Sequence, residues 1–109
     1  SAETIDCVFP RAFDGGYVFA SYTKNKSTVV QSFSADNGVT YKEGFNVLLD
    51  SDISLTFGKA NTGYSEKDMI IATTIIINRK TGQWTRTNST NGGTEYTGNT
   101  TQGECNINR

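Results

Sequence analysis

The chain has 109 residues, ten basic and eleven acidic, for a formal net charge of −1, and it contains no histidine. Charges scattered at near balance exclude the basic footprint that nucleic acid or an anionic membrane surface requires. Residues 1–109 read as one β domain, long enough to remove roughly 65% of the unfolded surface from water; its longest apolar run, residues 69–77, is interrupted by Thr73 and Thr74 and falls short of a membrane span of ~18 residues.

Residues 4–9 form the first predicted strand, stopped by Pro10. After a loop over residues 11–16, residues 17–22 carry the aromatic and β-branched side chains of a second strand. Lys24-Asn25-Lys26 is a turn, and residues 28–35 are a third strand. Asp36-Asn37-Gly38 tolerates positive φ, so it predicts a hairpin that makes strands three and four antiparallel neighbours. The chain extends again over residues 39–41 and 45–49, with Lys42-Glu43-Gly44 between them as a bulge or bend.

Asp50-Ser51-Asp52 turns the chain, and Ile53, Leu55 and Phe57 then alternate with Ser54, Thr56 and Gly58, giving one buried and one wet face. Residues 59–67 read as a loop, where Ser65 and Asp68 allow one capped helical turn. Residues 69–79 are the most hydrophobic segment and the longest predicted strand, with Ile75, Ile76 and Ile77 leaving neither face polar. Arg79-Lys80-Thr81-Gly82 closes a hairpin with Gly82 at a left-handed position; residues 83–88 return with Trp84 inward. Asn91-Gly92-Gly93 turns into a last strand over residues 94–97. Seven or eight short strands make an all-β antiparallel meander, closed as a small barrel or folded as a sandwich.

Cys7 and Cys105, the two cysteines, lie too far apart in sequence for a short-spaced redox or zinc motif, and without histidine the usual structural zinc sets cannot be completed. They are expected to pair and tie the two ends of the domain. Disulfides track oxidising compartments, so the pair points to a periplasmic or extracellular protein. The start at Ser1-Ala2-Glu3 fits a mature product from which a signal peptide has been removed.

Absence of histidine also removes the commonest general base and the Ser-His-Asp and Cys-His arrangements. Two close acidic pairs remain, Asp50 with Asp52 and Glu66 with Asp68. Both fall in expected turns, where carboxylates are simply solvated, so they define neither a glycoside-hydrolase pair nor a calcium loop. No catalytic, cofactor-binding or metal site is expected. Residues 81–102 are rich in Thr, Asn, Gly and Ser around Trp84 and Tyr96, a composition shared by sugar-binding faces and by ordinary exposed strands. Asn-x-Ser/Thr triplets begin at Asn25, Asn88 and Asn99.

The segment Ile75-Ile76-Ile77-Asn78-Arg79-Lys80-Thr81-Gly82-Gln83-Trp84, with Gly103-Glu104-Cys105, resembles the closing hairpin of small exported proteobacterial proteins of unknown function. The resemblance implies export and a pairing of the final cysteine with one near the mature start. A weaker similarity is to the periplasmic inhibitors of C-type lysozyme, small antiparallel barrels with a Ser-Gly-x-x-Tyr loop. Asn61-Thr62-Gly63-Tyr64-Ser65 keeps a Gly and a Tyr at a different spacing, which implies a protein-contacting loop rather than that inhibitory motif. The sequence thus reads as a non-enzymatic exported binding module acting through surface loops, with Gly63, Tyr64, Trp84, Arg86 and Tyr96 as candidate contacts for a protein or small ligand. A lipocalin-like carrier of an apolar ligand, a lysozyme-inhibitor-like protein and a carbohydrate-binding module are the alternatives.

Overall fold

In the computed structural model, residues 2–11, 14–63, 68–92 and 95–107 are described. They form eight antiparallel strands: β1 (Glu3–Pro10), β2 (Tyr17–Asn25), β3 (Thr28–Ser34), β4 (Thr40–Asp50), β5 (Ser54–Thr62), β6 (Ile70–Asn78), β7 (Gln83–Gly92) and β8 (Glu95–Asn106). Each pairs with the next in sequence, and β8 returns to β1 to close a barrel. No described helix is long and apolar enough to cross a membrane.

Alternation decides which side chains enter the barrel. Ile5, Cys7 and Phe9 on β1 stand in register with Tyr22, Ala20 and Val18 on β2, and the same inward set continues through Val29 and Gln31 to Phe45. Leu55 and Phe57 oppose Ile77 and Ile75, and Ile77 opposes Trp84. These positions form the core, each apolar member worth ~1.5–3 kcal/mol on full burial. Phe9 lies flat on Trp84, ring centroids 4.2 Å apart, while Phe57 packs against both Tyr22 and Phe45. Trp84 is 0% exposed, and its Nε1–H donates to the Tyr22 hydroxyl at 3.1 Å, which in turn donates to Gln31 Oε1 at 2.7 Å. The indole N–H, the Tyr22 hydroxyl and the Gln31 carbonyl oxygen therefore each have a partner, avoiding a penalty of ~1–3 kcal/mol per orphaned group.

The disulfide joins Cys7 to Cys105, directly opposed across β1 and β8, with Cα atoms 3.9 Å apart. Two residues earlier, Gly103 faces the Phe9–Trp84 stack; a Cβ there would come within 2.8 Å of Phe9 Cβ and 2.9 Å of Trp84 Cε3. Only glycine fits where the aromatic pair crosses the closing seam. Gly82 (φ +79°) and Gly38 (φ +80°) occupy the left-handed turn positions the sequence assigns them.

Several sequence expectations are corrected. β4 runs unbroken through Lys42, Glu43 and Gly44, and the register shift falls between Val47 and Leu49 instead. Gly58 leaves room there, since a Cβ on it would meet Leu48 Cδ1 at 3.2 Å. The expected loop over residues 59–67 begins only after Thr62, because Lys59, Ala60, Asn61 and Thr62 continue β5 in register with β6. Ile53 belongs to the preceding turn and is 60% exposed, and Ile76 is 45% exposed, so β6 buries one face only. The last strand starts at Glu95 and runs on to Asn106, which makes it longer than β6, because its Thr- and Asn-rich sequence is held by continuous pairing with β7. Ser65 lies outside the described residues, as does Glu66.

Candidate functional site

The two ends of the barrel differ in chemistry. At one end, reached by the β2–β3, β4–β5 and β6–β7 turns, the guanidinium of Arg79 is 17% exposed and lies between two carboxylates. Its Nη2 donates to Glu3 at 2.6 Å, and its Nη1 donates to Asp50 at 2.6 Å and to the Ser51 carbonyl at 2.6 Å. Lys24 adds a second cation 3.0 Å from Asp50. Arg79 and then Lys24 hold the Asp50 carboxyl below its ordinary range. This quartet ties β1, β2 and β4 to the β6–β7 turn and seals that end.

At the opposite end, here called the mouth, the inward-facing positions become steadily more exposed. Beyond Trp84 the inward set on β7 continues with Arg86, Asn88 and Thr90, opposed on β8 by Thr101, Asn99 and Thr97. Arg86, Asn88, Thr90 and Thr101 are half-buried, whereas Asn99 and Thr97 are exposed. The Thr73 hydroxyl donates to Asn88 Oδ1 at 2.7 Å, which leaves the Asn88 amide N–H groups directed elsewhere. Arg86 Cζ lies 5.3 Å from the Phe9 ring centroid and 5.5 Å from that of Trp84, and its Nε is buried with no hydrogen-bond partner among the described residues. Nearby on β5 and β4, Lys59 and Glu43 pair with each other at 3.3 Å. Burial pushes the Tyr22 hydroxyl well above its ordinary range, so it stays neutral beneath Arg86.

Of the residues singled out in the sequence, Trp84 is wholly buried and so is withdrawn from the surface set. Arg86 is at the mouth, immediately above it. Tyr96 is 84% exposed on the outer face of β8, opposite Asn91. Gly63 closes the end of β5 by donating its N–H to the Met69 carbonyl at 2.8 Å, and Tyr64 lies outside the described residues. Among the acids, Asp50 is engaged by Arg79 and Lys24 and Asp52 is exposed in a turn. Among the described residues, no cluster of three or more Cys, Asp or Glu side chains could hold a metal ion. Sequence reasoning missed the Arg79 quartet, whose members are far apart in the chain, and it treated Asn88 only as a glycan acceptor.

β8 has a further peculiarity. It pairs with β7 from Glu95 to Glu104 but with β1 only at Glu104, Cys105 and Asn106. Its outer edge from Glu95 to Gly103 has no strand partner among the described residues. No family model matches the chain, and comparison with curated proteins and with solved structures likewise gives no match.

Proposed function

We propose that this chain is a non-enzymatic, exported binding module whose ligand is taken at the mouth of the barrel. The observation that carries the reading is the contrast between the ends: Arg79 closes one with two acids, while at the other Arg86, Asn88, Thr101 and the exposed Asn99 meet no comparable cluster of ion pairs among the described residues. The interior itself is filled by Phe9, Tyr22, Phe45, Phe57 and Trp84, which favours a ligand held at the rim over an apolar molecule carried deep inside. Export is supported by the Cys7–Cys105 disulfide, a bond that persists where thiols are not kept reduced.

The test is a thermal-shift panel of organic acids, oligosaccharides and fatty acids, because a ligand bound only by the folded state raises the melting temperature. A ligand seated at the mouth is expected to lose its shift in Asn99→Trp and keep it in Ile53→Ser at the sealed end. The reverse pattern would reject the mouth. Fractionation of the source cells with a specific antiserum tests export; the protein in the cytoplasmic fraction would contradict it.

A further inference from the structure

We propose that the mouth binds a small organic monocarboxylate whose carboxylate docks on the guanidinium of Arg86. This deepens the mouth-binding reading and rests on it. The protein contains its own comparison: Arg79 meets two carboxylates and two backbone carbonyls, whereas Arg86 makes no hydrogen bond and no ion pair with any described residue. Its neighbours are the faces of Phe9 and Trp84, which attract the cation through their ring quadrupoles but leave its N–H groups unanswered.

An arginine is always charged, so a half-buried guanidinium with a buried, unpartnered Nε is a favourable place for an anion or another strong acceptor. Neither nearby group supplies one, since Glu43 is held by Lys59 and Tyr22 is kept protonated by burial. Among the described residues, Arg86 is a cation with no ion-pair partner. A monoanion neutralises it, while a dianion such as phosphate would leave excess negative charge close to Glu43. A planar carboxylate also matches the planar fork of the guanidinium. Donors to fix its orientation stand beside Arg86: the Asn88 amide, turned by the Thr73 hydroxyl on its oxygen, and the hydroxyl of Thr101, the register partner of Arg86.

The experiment is calorimetric titration of the intact, oxidised protein at low salt with benzoate and with the isosteric neutral benzamide. Benzoate is expected to bind roughly 10-fold or more tightly than benzamide, as a charge-assisted pair implies. Arg86→Gln is expected to reduce benzoate to the benzamide level, and Arg86→Lys, which keeps the charge but loses the fork, to fall between. Equal affinity for the two probes, an unchanged Arg86→Gln, or no benzoate binding overturns the proposal. Should Arg86→Gln fail to fold by circular dichroism, the wild-type benzoate/benzamide contrast and Arg86→Lys decide. Amide shifts recorded with the same probes separate the two readings: shifts confined to the mouth but indifferent to charge reject only the carboxylate, while shifts at the Arg79 end or on the outer wall reject the mouth.

Discussion

Trp84 and Asp50 show how single side chains divide the labour of holding this barrel. Trp84 fills the centre and donates to Tyr22, so Trp84→Ala is expected to cost about 3–5 kcal/mol by urea denaturation. Trp84→Phe, which loses the N–H but keeps most of the ring, should cost about 1–2 kcal/mol. A Trp84→Ala variant with an unchanged midpoint would mean that the indole is a surface plate after all. Asp50 works through charge. Arg79 and Lys24 lower its folded-state pKa below the unfolded value of ~3.9, so its contribution is full above that pH and is lost as the pH falls through the depressed value. Melting temperatures measured from about pH 5 to pH 2 are expected to fall less steeply in Asp50→Asn than in the parent protein; identical acid limbs would show that the Arg79 end contributes nothing.

Among the elements, β8 is the least regular in its surroundings. The Cys105 N–H donates to the Gly82 carbonyl on the β7 side, and the register with β7 is continuous, so the N–H groups of Thr97, Asn99, Thr101 and Gly103 point to β7 as well. Those of Tyr96, Gly98, Thr100 and Gln102 point to the unpaired edge. Hydrogen exchange is expected to alternate accordingly, slow at Thr97, Asn99 and Thr101 and fast at Tyr96, Gly98, Thr100 and Gln102. Uniform protection along β8 would mean that the edge is covered. The sequence shows why this strand reads short. Its Gly, Asn and Thr residues have turn-like composition, and its strand character comes from pairing with β7, a tertiary effect that local propensity does not contain. By contrast, the Asp36-Asn37-Gly38 hairpin and the Gly82 turn are legible because a positive φ selects its residue locally. Gly103-Glu104-Cys105 is legible as a pattern, and its cause emerges only with the fold: one residue clears space for the Phe9–Trp84 stack and the other closes the seam.

At the scale of the whole molecule, one covalent bond spans nearly the entire chain. Its partners are 98 residues apart, and the chain-entropy treatment gives about 4–5 kcal/mol for a loop of that length. A Cys7→Ala, Cys105→Ala double variant is expected to lose most of that stability, read as a lowered urea midpoint, and the parent should fall to the same midpoint under reductant. The candidate site is only partly visible in the sequence: Arg86 can be named as a contact, yet that it meets no acid among the described residues while Arg79 meets two depends on residues brought together from β1, β4, β5 and β7. The central claim is that the mouth, and not the sealed end or the outer wall, receives an anion. Paramagnetic relaxation of the backbone amides by a carboxylate-bearing nitroxide, compared with its neutral carboxamide analogue, tests it directly. Excess relaxation by the anionic probe is expected at Arg86, Asn88 and Thr101; equal relaxation by both probes, or a maximum near Arg79, would contradict the account.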